Sequence, residues 1–332
     1  MPELYYMETG STDPAFNLAF EEYVLLNRTE GDILILWQND KTVVIGRNQN
    51  AAAEIDRAFV EANGIRVVRR TTGGGAVCHD LGNLNYSFIT DAGKREEITI
   101  ERFTRPVVRA LRGLGLDASA SGRNDILVEG RKVSGTAQRV AGKRILHHGT
   151  LLFDSDPSVI AGALNADPEK YRSKGKQSVR ARIGNIRPLL KEDMEISGFR
   201  DYLKAALWED KEGAPVTAVL TEEELSAVRR LKEERYDTWE WNFGKSPEFD
   251  LRNKKRFPGG GVEILTSVKD GVITDIHIYG DFLARLPVSD AEDALRGVRF
   301  RAEDVRAALS ALPTDEYFGT VTADEVTEVL FP

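Results

Sequence analysis

The residue types that can do chemistry are concentrated in one run, Arg69-Arg70-Thr71-Thr72-Gly73-Gly74-Gly75-Ala76-Val77-Cys78-His79-Asp80. Three consecutive glycines strip the main chain of side chains, so a ligand can lie on it and N–H groups can point at an anion. Two arginines precede the run and a His-Asp pair ends it, which suits a phosphate-bearing ligand. A tight, closely packed bend would use the same glycines. Neither a dinucleotide fingerprint (G-x-G-x-x-G opening a helix) nor a phosphate loop (G-x-x-x-x-G-K-[ST]) is present.

Three further groups carry chemistry. Asn124-Asp125-Ile126 is followed by Arg131-Lys132-Val133-Ser134-Gly135-Thr136-Ala137-Gln138. A lysine at a hairpin edge is ordinarily solvated. Here the small residues after Lys132 leave room for a carboxylate or phosphate beside its ammonium. His147-His148 lie in an alternating strand and point to opposite faces, so one can reach a pocket while the other packs. Without an HExxH or a Cys/His pairing, a zinc site is rejected. Lys170 to Lys191 holds eight basic residues, Arg180, Arg182 and Arg187 among them, and no acid. It reads either as a solvated basic loop or as a mobile grip for an anion. Cys78 is the single cysteine. It is a nucleophile if it shares a face with His79, and a small buried hydrophobe if it does not; extended backbone favours the second.

The elements that must position these groups alternate irregularly. Asp13-Pro14 opens a helix with an apolar stripe at Phe16, Ala19, Phe20, Tyr23 and Leu26. Residues 33–37 and 42–46 are predicted as a hairpin, 51–62 as a helix ended by Asn63-Gly64, and 65–69 as a strand entering the glycine run. A strand with Leu84, Tyr86 and Phe88 alternating leaves the run. A helix follows over 100–114, then a hairpin at 126–133 and a strand at 145–153. Thr221-x-x-Glu224 is a capping box opening a helix to about Arg235. After a boundary near 244–255 come a hairpin, 262–268 with 272–279, and helices near 289–296, 301–311 and 322–330, the last with a box at Thr322-x-x-Glu325. Strands paired by hairpins rather than βαβ units indicate an α+β fold.

Composition bounds the function. The 332 residues suggest one large and one smaller domain, and 41% hydrophobic residues suffice for a core. The net charge of −8 argues against a general nucleic-acid binder. No apolar run approaches a membrane span, and the first residues do not read as a signal peptide. A cytoplasmic protein with no membrane or nucleic-acid partner is expected.

Taken in order, RRTTGGGAVCHDLGNLNYSF, GRNDI, RKVSGTAQ, HHGTLLFD and SVRARIGNI resemble the lipoate–protein ligases. DPAFNLAFEEY and WQNDKTVVIGRNQN upstream, and TWEWNFGKSPEF, RFPGGGVEI and IYGDF downstream, extend the resemblance to nearly the whole chain. It implies a large catalytic domain (1–245) of mixed and antiparallel sheets flanked by helices, and a small α+β accessory domain (255–332). It also implies a two-step reaction. Lipoate and ATP give lipoyl-AMP and pyrophosphate, with Mg2+. The lipoyl group then passes to a lysine of a lipoyl domain, on a 2-oxoacid dehydrogenase E2 subunit or the glycine-cleavage H protein. Carried over by motif, Lys132 is the catalytic contact to both the lipoyl carboxylate and the α-phosphate. Arg70, Gly75, Ala76, Val77, Cys78, Asn124, Asp125, Arg180 and Arg182 border the nucleotide, with Asp125 as the magnesium contact. Gly74, His79, Trp37 and His148 are expected at the lipoate slot. Thr72 stands where the family more often has serine, and Cys78 where tyrosine, phenylalanine or valine is more usual. An acyltransferase acting between proteins through a cysteine, and a non-catalytic lipoate- or nucleotide-binding protein, are the alternatives.

Overall fold

The computed structural model describes residues 3–49, 51–94, 98–122, 124–164, 183–209, 211, 213–243, 251–269 and 271–331. In chain order its strands are β1 (Leu4–Glu8), β2 (Asp32–Trp37), β3 (Thr42–Ile45), β4 (Arg66–Arg69), β5 (Val77–His79), β6 (Asn83–Asp91) and β7 (Ala118–Ser121). They continue with β8 (Asp125–Val128), β9 (Arg131–Ala141), β10 (Arg144–Leu152), β11 (Val216–Thr217), β12 (Leu251–Phe257), β13 (Gly260–Lys269) and β14 (Val272–Gly280). They form three sheets: an eight-stranded one in the order β11-β1-β2-β6-β10-β9-β8-β7, a small one, β4-β3-β5, and a C-terminal one, β12-β13-β14. In the large sheet β1 runs parallel to β2 and β11, and the other pairs are antiparallel.

Both faces of the large sheet are covered, so β6 is buried at every position before Asp91. Leu84, Tyr86 and Phe88 pack with Phe103, Val107 and Leu111 of helix Ile100–Gly113 and with Phe199 and Leu203 of helix Ile196–Ala206. The opposite face meets the first helix, Pro14–Asn27. A separate apolar cluster drawn from residues 257–331 holds the C-terminal sheet and its helices together. No helix among the described residues is long and apolar enough to cross a membrane.

Several expectations change. β2 and β3 are not a hairpin: β2 lies between β1 and β6, whereas β3 lies between β4 and β5 in the other sheet. The connection is pulled over the start of the first helix, where Asn17 Nδ2 donates to Gln38 O (2.8 Å) and Asn39 Oδ1 (2.9 Å). Helix 51–62 is two pieces, Ala51–Glu54 and Arg57–Ala62, because Asp56 caps the second by accepting from Phe59 N at 2.9 Å. The first helix buries more than its expected stripe. Leu26 is exposed, while Asn17, Glu21 and Glu22 turn inward. Strand β12 escapes pattern reading because LRNKKRF is a charged edge strand. The pattern does not announce the short helix Thr314–Phe318 either. Both capping boxes are present.

Glu22 shows why the helix carries acids inward. It is 1% exposed and accepts from Arg139 (2.7 Å), Arg235 (2.7 Å) and the Tyr236 hydroxyl (2.8 Å). A single π-helical turn, Lys232–Tyr236, brings the last two partners to it. Burial pushes the Glu22 carboxyl up, but Arg139, Arg235 and Tyr236 together hold it below its ordinary value. A depressed folded pKa stabilises above the unfolded value and is lost as pH falls through the folded one. Glu22→Gln should therefore cost about 1–3 kcal/mol at pH 7. In denaturant titrations the gap from wild type should close below about pH 4.

Candidate active site

The small sheet roofs the large one, and the glycine-rich crossing from β4 to β5 closes a slot between them. Arg70 organises the crossing. Its buried guanidinium donates to the carbonyls of Val44 (3.1 Å), Gly73 (2.6 Å) and Gly75 (2.8 Å) and to Thr72 Oγ1 (2.9 Å). Burial brings its pKa down to about 10, so it stays charged at neutral pH. Gly46 must lack a side chain, because a Cβ there would lie 2.0 Å from Gly74 O. Gly74 has φ +87°, a conformation that favours glycine. Gly73 presses on the C-terminal residues, where a Cβ would meet Phe282 O at 2.8 Å, and Gly74 N–H donates to Phe282 O at 3.2 Å. The triplet thus serves close packing at Gly73 and Gly74, and Gly75 faces the slot.

A chain of hydrogen bonds ties roof to floor. Thr72 Oγ1 lies 2.8 Å from His148 Nε2, and His148 Nδ1 lies 2.9 Å from Glu21 Oε1. Ser87 Oγ donates to the same Glu21 oxygen (2.5 Å) and accepts from Trp37 Nε1 (2.9 Å). The Glu21 carboxylate can only accept, so His148 donates Nδ1–H to it and turns its other ring nitrogen to Thr72 Oγ1. His147 points the other way and stacks on Phe103, with ring centroids 4.8 Å apart.

Lys132 reaches the slot through an irregularity. Ile126 pairs with Ser134 but Leu127 pairs with Lys132, so Val133 is an extra residue. Val133 packs in the apolar cluster below the sheet, and Ser134 is fully buried beside it. The bulge moves Lys132 to the slot face, out of the alternation that would place it with Ser134. Its ammonium lies 2.7 Å from Asp125 Oδ1. It also lies over Gly135, where a Cβ would come within 3.2 Å of Nζ.

Of the residues expected from the sequence, Trp37, Arg70, Gly75, Ala76, Val77, His79, Asn124, Lys132 and His148 line this one cavity. Asp125 stands beside it through Lys132. Cys78 turns away, packing with Val43, Ile45 and Ile55, and burial pushes its thiol up to about 12. Arg180 and Arg182 lie outside the described residues. Arg187 is no free anion grip, because Asp154, Asp193 and Glu195 all pair with it. Arg69 serves the scaffold, donating to the carbonyls of Gly46, Gln49, Trp241 and Asn242. Leu18, Asn85 and Thr150 line the slot without having been singled out, because alternation shows a face but not what it faces. Among the described residues no group of three or more His, Cys, Asp or Glu side chains could hold a metal ion.

Two family models match. Residues 13–208 match the lipoyl protein ligase A/B catalytic domain and residues 246–330 the bacterial lipoate protein ligase C-terminus. The chain belongs to the lipoate–protein ligase family. Among similar proteins is the lipoate-protein ligase LplJ of Bacillus subtilis (strain 168), 40% identical over 99% of this chain and 100% of its own. A solved lipoate-protein ligase A bound with ATP is 29% identical, with TM-score 0.64 over 73% of this chain and 99% of its own. P. falciparum LipL1, solved in complex with lipoate, shares the fold along the whole length. Its TM-score is 0.82 over 99% of both chains at 23% identity.

For this lipoate–protein ligase, Gly46→Ala should force the glycine crossing apart. We expect a loss of about 1–3 kcal/mol in thermal or denaturant unfolding and a marked drop in ligation. Cys78→Ala, assayed alongside, should keep most of its activity, since the thiol faces the apolar cluster.

Proposed function

We propose that this ligase activates lipoate with ATP and then transfers the lipoyl group to a protein lysine. In the first step a carboxylate oxygen attacks the α-phosphorus, the bond to the departing pyrophosphate breaks, and lipoyl-AMP forms. In the second the neutral lysine amine of a lipoyl domain, on an E2 subunit or H protein, attacks the acyl carbon. AMP leaves with the carbon–oxygen electron pair, and the amine gives up a proton.

The observation that supports this most is the Lys132 ammonium, brought by a bulge to the slot beside a bare Gly135. Bringing a carboxylate to a phosphate opposes two anions. A fixed cation between them lowers that repulsion and stabilises charge in transit. Asp125 balances Lys132 at 2.7 Å before substrates arrive. Gly75, Ala76 and Val77 border the nucleotide in this reading, and Asn124 is held beside it by donating Nδ2 to Thr136 O at 2.8 Å. Val44, Trp37 and Leu18 wall the acyl chain.

Magnesium usually takes one or two carboxylates and completes its shell with substrate phosphates and water. Asp125, the one carboxylate paired with Lys132 among the described residues, fits that pattern and would be its protein contact. The ion would supply charge neutralisation at the pyrophosphate. Residues 1–245 act as the catalytic part and 255–332 as the accessory part, a division supported by the separate apolar cluster of the latter. A cytoplasmic setting belongs to the same reading. The cysteine acyltransferase alternative gains no support, because the sole cysteine faces away from the slot.

Lys132→Ala should lower lipoate-dependent pyrophosphate release by at least about a hundredfold and leave the melting temperature unchanged. Release at the wild-type rate would remove Lys132 from the mechanism.

A further inference from the structure

Apart from His79 and Asn85, the polar side chains lining the slot are held by partners within the protein. His148 has both ring nitrogens engaged, and the Trp37 indole donates to Ser87. His79 differs. It is 3% exposed and lines the slot, and its Nε2 has no partner among the described residues.

Its tautomer follows from a relay. Asn17 Nδ2 faces two main-chain carbonyls, Ser11 O at 3.1 Å and Gln38 O at 2.8 Å, so that atom is the amide nitrogen. Its two hydrogens serve three acceptors, and because a second amide nitrogen would not face it, the Asn39 atom 2.9 Å away is Oδ1. Asn39 must then turn Nδ2 to His79, which accepts at Nδ1, 3.0 Å away. An imidazole that accepts at Nδ1 carries its proton on Nε2. Burial, with Arg70 and His148 adding repulsion, lowers the His79 pKa to about 3, so the ring is neutral at working pH. A buried N–H is thus left without an acceptor among the described residues, in a slot meant for an acyl chain.

Topology says which end it occupies. A row crosses the large sheet from Gly135, under the Lys132 ammonium, to Thr150, Asn85 and Trp37. That is three strand spacings, about 14 Å. The His79 ring meets Trp37 edge-on with centroids 6.3 Å apart, at the far end from Lys132. Asn85, whose Nδ2 also has no partner, stands one strand nearer to Lys132. An acyl chain anchored by its carboxylate at Lys132 therefore presents its tail to His79. A hydrocarbon tail offers nothing to an N–H, whereas the sulfurs of a dithiolane are weak acceptors.

We propose that the Nε2–H of His79, held in that tautomer by the Asn17–Asn39 relay, donates to a dithiolane sulfur and so selects lipoate over an unsubstituted eight-carbon acid. This rests on reading the slot as the lipoate site. Leaving the N–H unpaired penalises the plain chain, the asymmetry by which a site built for a hydrogen bond rejects an analogue lacking it.

The test uses the full chain and two probes, lipoate and octanoate. The ratio of kcat/KM for lipoate over octanoate in ATP-dependent pyrophosphate release should fall about five- to tenfold in His79→Phe. It should fall likewise in Asn39→Asp, where a carboxylate facing Nδ1 draws the proton there and bares Nε2. A change in both rates by the same factor would mean a structural role only and overturn the proposal. A direct measurement needs no variant and no ATP. With only four histidines in the chain, 15N-histidine spectra can follow Nε2 of His79 during titration with each acid. Lipoate should shift that Nε2–H resonance and octanoate should leave it in place. Equal shifts, or none from bound lipoate, would overturn the inference. Failure of the wild type to release pyrophosphate with either acid would instead count against the adenylation reading, and the titration would still decide the role of His79.

Discussion

One guanidinium enclosed by carbonyl oxygens holds this site together. Arg70 grips Val44, Gly73 and Gly75 by their main chains and passes the connection through Thr72 to His148 and Glu21 on the floor. A buried cation without a carboxylate directly on it is costly unless its hydrogens are met. The glycine crossing meets them by turning its carbonyls inward. That requirement, as much as any ligand, explains why the crossing must be free of side chains. A rigid roof over the acyl slot is the consequence.

Lys132 follows a different rule. It sits partly exposed at the slot, balanced by Asp125. A cation that must approach two anionic substrates has to stay hydrated enough to keep its charge and free enough to exchange a partner. Arg70 serves the scaffold through four of its five N–H groups. Lys132 is available because Asp125, its one ion-pair partner among the described residues, can be outcompeted. The two cations share one cavity and differ in how completely the protein satisfies them.

The C-terminal part touches the most constrained piece of the catalytic part. Phe282 O accepts from Gly74 N–H at 3.2 Å, Asn48 O accepts from Gly280 N–H at 2.6 Å, and Arg285 reaches Ile98 O at 3.3 Å. The first two are main-chain contacts, the first of them on the glycine triplet that roofs the slot, and the third is a guanidinium on a carbonyl. Hydrogen bonds to main-chain carbonyls on both sides join the two parts, and each part keeps its own core.

Much of this was legible in the residues themselves. The glycine run, Lys132 among small neighbours, the paired histidines pointing apart and both capping boxes are local features, set by steric size and hydrogen-bonding capacity. The family pattern could be read from the same motifs. Long-range facts decided the rest. Period-two alternation cannot say which strand a strand will join, so β2 and β3 read as a hairpin although other strands had taken their edges. Nor can it announce a bulge, and one extra residue at Val133 puts Lys132 in the slot rather than under the sheet. Local propensity does not show why Glu21 and Glu22 face inward; that needs His148, Arg139 and Arg235, all more than a hundred residues away in sequence. Sequence determined which groups were available, because that is a matter of covalent chemistry. Tertiary structure decided which were spent on the scaffold and which were left for a ligand, because a hydrogen bond goes to whatever partner folding brings within reach.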